Sequence, residues 1–290
     1  MLEALDYIVV YTLIFGSFYL GLALGFTVIT GVLRIFHLGY GALFLVAAYG
    51  TWLFCNDIGV ELPGAIVLAL VLIAAFTFVL YRVVVVKFIE VEDYLLAGLF
   101  AIFVIIQEIV SYVYPETVGV YLPTTIISGS VPVGHASVPG QYIVVSTVSL
   151  AIMLVFLVFL LKTKAGLIIR AISQNTTAAK LCGVKFDRTY ALAMVIASIP
   201  AGIIMVTIAP IWPVNPFIGM ELFSFAMLPA VLGGLGNLRG TLIASYIIGF
   251  IHAFCGFAIN PRLMLLVSLV VVLVILAVRP KGIVEAETVW

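Results

Sequence analysis

Nine long apolar runs govern what this chain can fold into. They cover residues 8–31, 38–54, 64–86, 94–114, 141–161, 189–210, 219–237, 241–259 and 263–278. A helix needs about 20 apolar residues to cross roughly 30 Å of hydrocarbon, and these runs are near or above that length. A water-soluble fold is excluded by the surface it would need. Hydrophobic residues make up 65% of the 290 residues and charged residues 9%, against about 45–50% and about 25% in soluble chains. The expected architecture is an all-α polytopic membrane protein, a single transmembrane domain over 1–290 with eight to nine transmembrane or re-entrant helices. Two runs are the weakest. Segment 38–54 is short and flanked by glycine, and 219–237 holds Pro229 and ends in Gly233-Gly234-Leu235-Gly236. Either is a candidate re-entrant or broken helix, which is tolerated where protein covers the freed backbone groups.

The remaining composition narrows the possible functions. The N-terminus carries Glu3 and Asp6 rather than a basic region, and the run that follows is too long for a signal peptide, so the first helix is expected to remain in the mature protein. Cys55, Cys182 and Cys255 form no CxxC pair and read as apolar packing residues. His37, His135 and His252 are isolated from one another, so no metal site is expected. The zero net charge and the lack of a basic domain argue against a nucleic-acid partner.

Lys and Arg set the expected orientation. Six of the 13 fall between 162 and 188: Lys162, Lys164, Arg170, Lys180, Lys185 and Arg188. This segment is therefore expected in the cytoplasm. With nine crossings, Arg34, Arg82, Lys87, Arg239, Arg279 and Lys281 also fall inside. Connections 55–63, 115–140 and 211–218 fall outside and contain no Lys or Arg, and Arg262 is the single exception. The N-terminus is then outside and the C-terminus cytoplasmic. The outer loop 115–140, with Pro115, Pro123, Pro132 and Pro139, predicts extended strands or a hairpin rather than helix.

The basic segment is too long for a simple turn. Its stretch 174–182 predicts a short helix, with Ser173 as N-cap, Ala178, Ala179 and Leu181 favouring helix, Lys180 at the negative dipole end and Gly183 in the left-handed position beyond it. Two adjacent alanines allow another surface to approach closely. Such a helix either docks into a partner or belongs to a solvated loop that only sets topology.

The run from Lys162 through Gly166, Arg170-Ala171, Gln174, Asn175, Ala178-Ala179, Leu181, Gly183-Val184 and Asp187-Arg188 resembles the coupling loop of permease subunits of branched-chain amino acid ABC importers. That family runs R-x-x-x-G-x-x-x-R-A-x-x-x-x-x-x-A-A-x-x-x-G-I/V-x-x-D-R. Three other blocks are similar to the same family: Gly25 to Ile35, with Gly31-Val-Leu-Arg34; Val231-Leu-Gly233-Gly234-Leu-Gly236 to Gly240; and Arg279-Pro-Lys281-Gly-Ile283. The chain looks most like the smaller, H-type subunit. It departs from the family after Arg34, where a usual Asn, His and Glu are replaced by His37, Tyr40 and Ala42. The resemblance implies a multi-pass plasma-membrane permease that is not itself an enzyme. It implies two ATP-binding subunits, a second permease subunit in a heterodimer and an extracytoplasmic solute-binding protein. It also implies that Arg170, Ala171, Gln174, Asn175, Ala178, Ala179, Leu181, Gly183, Asp187 and Arg188 couple the chain to the ATPase.

The chain has no G-x-x-x-x-G-K-[ST] phosphate cradle, so any ATPase is a separate chain, and no cofactor is expected. Few polar residues are expected at membrane depth, and those singled out are Gln107, Glu108, Glu221 and His252. Ionisable groups at membrane depth tend to be functional. Glu108, His252 and the glycine break Gly233, Gly234 and Gly236 are therefore the candidates for a translocation path. Bland alternatives stand beside each: Glu108 reaching the outer interface, His252 bonded to a neighbouring helix, the glycines serving close packing. An ion-coupled secondary carrier is the main competing function, but it calls for an intramembrane charge pair that the sequence does not display. An intramembrane enzyme would need a G-x-S-x-G or H-E-x-x-H site, and a retinal protein a lysine in 263–278; all are absent.

Overall fold

The computed structural model describes residues 2–115, 119, 121, 122 and 125–284. The expectation for Pro123 therefore lies outside the described residues. Among the described residues are twelve α-helices and one short hairpin. They are α1 (Leu2–Leu33), α2 (Tyr40–Trp52), α3 (Leu62–Leu80), α4 (Val86–Phe88), α5 (Glu92–Val113), β1 (Ser130–Val133), β2 (Ala136–Pro139), α6 (Gly140–Lys162), α7 (Lys164–Gln174), α8 (Thr176–Leu181), α9 (Phe186–Ile208), α10 (Ile218–Gly233), α11 (Leu238–Phe254) and α12 (Met264–Val278). Wider π-turns extend α2 over Leu53–Asp57, join α3 to α4 over Tyr81–Val85, and extend α11 over Cys255–Ile259.

Among the described residues, seven helical stretches are long and apolar enough to cross a membrane: Leu5–Leu33, Leu62–Phe88, Glu92–Val113, Gly140–Lys162, Phe186–Ile208, Leu238–Ile259 and Pro261–Val278. The two runs expected to be weak are the two absent from these seven. α10 has 16 residues, about 24 Å at 1.5 Å per residue, and α2 has 13, continued by the five-residue π-turn to Asp57. α2 is almost wholly buried and α10 is buried over most of its length apart from its first turn, which marks them as inner elements.

α1 is the centre of the bundle, with α6, α9, α10 and α11 packed around it. Glycine permits the close approaches. A β-carbon at Gly21 would sit 2.7 Å from the Ser149 hydroxyl on α6, and one at Gly25 would overlap the Ala197 carbonyl on α9. The expected Gly21-x-x-x-Gly25 contact face thus meets two different helices. Along the α1–α11 seam, Thr27 and Thr241 share a buried hydroxyl hydrogen bond of 3.0 Å, and Ser17 bonds the Tyr246 hydroxyl at 3.0 Å. The second layer is α2, set between α3, α5, α9 and α10. Gly41 and Gly219 press together there; a β-carbon added to either would lie 2.8 Å from the other's carbonyl oxygen.

The predicted hairpin is present. Strands β1 and β2 pair antiparallel around a two-residue turn, Gly134-His135, with φ +62° at Gly134. His135 Nδ1 lies 2.6 Å from Asp6 Oδ2, which ties the hairpin to the start of α1. Gln141, buried at the start of α6, donates to the Thr207 carbonyl at 2.6 Å and accepts from the Ile126 amide at 3.0 Å. Loop and α9 are thereby fastened at the same end of the bundle.

Candidate functional site

The basic segment 162–188 begins with a tight reversal. Thr163 is the one residue between α6 and α7, and its Oγ1 accepts from the Gly166 amide at 3.0 Å as an N-cap. A β-carbon at Gly166 would lie 2.5 Å from the carbonyls of Phe159 and Leu160. Only glycine lets α7 fold back so closely over the end of α6. α7 then buries Ile169 and Ile172 and leaves Leu167, Ile168, Ala171 and Gln174 exposed. Spacing of three to four residues places each set on one face of the helix.

The predicted helix 174–182 is instead two helices divided at Asn175. Its N-cap is not Ser173, whose Oγ donates to the Arg170 carbonyl at 2.8 Å within α7. Asn175 caps α8, accepting from the Ala178 amide at 3.0 Å. An Asx side chain in extended backbone (φ −149°) ends one helix and starts the next. Gly183 takes the left-handed conformation expected of it, φ +80°, and the Val184 amide returns to the Ala179 carbonyl at 3.2 Å. The Lys180 side chain lies outside the described residues.

The two alanines differ. Ala178 is exposed, whereas Ala179 is 5% exposed and packs into its own chain. The outward residues of α8 are therefore Ala178 and Leu181, the latter 86% exposed. Gly183, Asp187 and Arg188 continue the exposed edge into the first turn of α9. Arg170 is half-buried in α7, its Nε unpartnered among the described residues. All ten residues expected to couple to an ATPase thus belong to one contiguous helix–turn–helix segment. Sequence reasoning missed Leu167 and Ile168, whose exposed apolar side chains extend the same face, and it gave Gly166 only as a motif position, whose physical reason shows once α7 is seen against α6.

The translocation candidates, by contrast, fall in three separate places. Glu108 is exposed on α5, which packs chiefly on α2. Gly233 meets Gly240 where α10 and α11 cross, backbone against backbone. Gly234 (φ +99°) and Gly236 (φ +82°) turn the corner between those helices. The tail caps this corner, the Ile283 amide donating to the Leu232 carbonyl at 2.9 Å. His252 lies far along α11, fully buried, hydrogen-bonded through Nδ1 to the Tyr19 hydroxyl and in ring contact with Phe225 at 5.4 Å. The departures from the family pattern after Arg34 are also interior: His37, Tyr40 and Ala42 are each completely buried. They alter packing inside the chain rather than an outer surface.

The family described as "Branched-chain amino acid transport system / permease component" matches residues 8–276. The chain is 28% identical over 284 residues to the "High-affinity branched-chain amino acid transport system permease protein LivH" of Escherichia coli (strain K12), covering 92% of this chain and 91% of that protein. It is 21% identical over 282 residues to the "High-affinity branched-chain amino acid transport system permease protein BraD" of Pseudomonas aeruginosa, covering 92% of each. Its fold is similar to a chain of PsaBC from Streptococcus pneumoniae, solved in complex with Fab, with a TM-score of 0.50, 17% identity, and coverage of 94% of this chain and 92% of that chain. With its helical bundle, its glycine crossings and a match over nearly its whole length, the chain belongs to the permease-component family of branched-chain amino acid transport systems.

Proposed function

We propose that this permease is the H-type transmembrane subunit of an ABC importer for branched-chain amino acids, driven by separate ATP-binding subunits. The observation that carries the reading is the outward edge of α7 and α8, which ends on a leucine that is 86% exposed. An apolar side chain held in water on a capped helix costs free energy unless a partner covers it. Segment 162–188 is the coupling loop in this reading, with Leu181, Ala178, Gln174 and Ala171 facing the ATPase.

The same reading places the loop in the cytoplasm, the N-terminus and the 115–140 loop outside, and the C-terminus inside, in keeping with the Lys and Arg distribution. All nine apolar runs are then crossings, α2 and α10 included. A second permease subunit completes the membrane unit, and an extracytoplasmic binding protein delivers solute to the hairpin end. Gly233, Gly234, Gly236, His252 and Glu108 stay as candidate path residues, the first three at the inner corner.

The test is reconstitution of the chain in proteoliposomes with its ATP-binding and second permease subunits and its binding protein. ATP-dependent accumulation of L-leucine is expected, and the chain alone should hydrolyse no ATP. Hydrolysis by the chain alone, or uptake driven by an ion gradient without the ATPase, would overturn the reading.

A further inference from the structure

At the hairpin end of the bundle a cavity of about 560 Å³ opens between α1, α10, α11 and the start of α12. That size falls within the range of small-molecule sites, about 300–1,000 Å³. Tyr19 and His252 line its buried side, at 3% and 0% exposure, and their mutual hydrogen bond uses His252 Nδ1. The other ring nitrogen, Nε2, is buried with no partner among the described residues. Leaving such a group unpaired costs free energy. Aromatic rings form the walls. Phe225 packs against Tyr19 at 5.3 Å and against Trp212 at 6.4 Å.

Two opposite charges stand on the rim. Glu221 comes from the first turn of α10 and Arg262 from the turn Pro261–Leu263 before α12. Both line the same cavity, yet they form no ion pair with each other. Arg262 is also the one basic residue that breaks the positive-inside pattern, since the other outer connections contain no Lys or Arg. A cation kept at that end against the pattern, and left without its neighbouring anion, is arranged for an anion brought from solution. The acid beside it is arranged in the same way for a cation. A molecule carrying both charges on one carbon and an apolar group beyond them satisfies the rim and the walls together.

We propose that this cavity binds a free α-amino acid with an apolar side chain, Arg262 receiving the carboxylate, Glu221 the ammonium group, and the Trp212–Phe225–Tyr19 walls the side chain. The assignment rests on the importer reading above and adds to it a place where the permease itself holds solute. Cation–π attraction from Trp212 or Tyr19 adds to the hold on the ammonium group.

The experiment is equilibrium binding of tritiated L-leucine to the purified full-length chain in detergent, with competition by leucinamide, which lacks the carboxylate, and 4-methylpentanoate, which lacks the ammonium group. Wild type should bind leucine saturably. Arg262→Gln should weaken leucine by about tenfold or more, the loss expected of a hydrogen bond to a charged group, and leave leucinamide unchanged. Glu221→Gln should weaken leucine by a similar factor and leave 4-methylpentanoate unchanged. Both residues are exposed, so size-exclusion profiles of the variants should match wild type. Absence of leucine binding to wild type, wild-type affinity in either variant, or equal loss of all three ligands would overturn the proposal. Those are also the outcomes for a cavity that takes a lipid headgroup or a partner helix. ATP-dependent leucine uptake by the assembled transporter, measured in parallel, separates the two readings. Uptake without binding by the chain removes the cavity assignment and leaves the importer standing, and binding without uptake does the reverse.

Discussion

The Arg34 guanidinium donates to the carbonyl oxygen of Ser173 at 3.0 Å. This one bond joins the end of the central helix α1 to the last turn of α7, immediately before Asn175 opens α8. Arg34 is also the only non-glycine residue among those described with a positive φ, +56°. The left-handed backbone ends α1 and turns the chain toward α2, at a cost of about 1–3 kcal/mol. If α7 and α8 move on ATPase docking, as the proposed coupling role requires, this contact is one place where the movement would reach α1.

Arg34→Ala removes the bond and keeps the unfavourable φ. It should lower stability by about 1 kcal/mol and reduce the stimulation of ATPase activity by solute. Arg34→Gly also removes the bond but relieves the backbone, so it should lose the same stimulation with a smaller stability loss. Thermal unfolding in detergent and ATPase assays on the reconstituted complex give the two readouts. Full stimulation in both variants would show that the tie carries nothing.

On the proposed coupling face, Leu181→Asp should abolish co-purification of the ATPase while the chain still accumulates in the membrane, because Leu181 is 86% exposed. Ala178→Trp should act in the same way. Ala179→Trp should be worse in a different manner: Ala179 is buried, so the loop itself must shift, at about 1–3 kcal/mol or more. Wild-type ATPase recovery with Leu181→Asp would assign the exposed edge to topology alone.

Orientation can be read with thiol chemistry. Cys182 is exposed in the basic segment, and Ser128 is exposed beside the hairpin. In a Cys55→Ser background, a membrane-impermeant maleimide should label Ser128→Cys in intact cells and reach Cys182 only in inverted vesicles. The opposite pattern would reverse the assigned topology.

Gly240→Ala places a methyl group into the Gly233 carbonyl where α10 and α11 cross. With backbone on both sides, neither partner can yield, and a loss of 3 kcal/mol or more, beyond the roughly 1–3 kcal/mol usual for overpacking, is expected. Gly129→Asn, in open space with φ +88°, should be tolerated. Membrane accumulation and detergent melting temperature would compare the two.

His37, in the connection between α1 and α2, is fully buried with both ring nitrogens unpartnered among the described residues. Burial pulls its imidazole from the usual 6.5 down to about 4. Between those values the unfolded chain takes up a proton that the folded chain does not, so stability falls as pH falls from about 6.5 toward about 4. By pH 5 the loss should be about 2 kcal/mol, at 1.36 kcal/mol per pH unit. His37→Leu should flatten this dependence, as seen in melting temperatures at pH 7 and pH 5. An unchanged slope in His37→Leu would assign the acid sensitivity elsewhere.

The sequence by itself determined the membrane class, the nine helical runs, the weakness of 38–54 and 219–237, the hairpin and the left-handed Gly183. Each of these follows from local quantities: run length against hydrocarbon thickness, charge counts between runs, and backbone preferences of single residues. Tertiary structure alone decided the rest. That Ala179 is covered and Ala178 open, that Asn175 rather than Ser173 caps the helix, and that Gly166 is forced by the carbonyls of Phe159 and Leu160 all depend on how α7 folds back on α6. Likewise, Glu221 and Arg262 are 41 positions apart in sequence and share a cavity only because α10, α11 and α12 pack against α1. In a chain where most side chains are apolar, hydrophobic pattern cannot say which faces meet protein and which meet lipid, since both are apolar environments. Interdigitating shape and backbone approach at glycine make that choice, and they exist only between elements already in place.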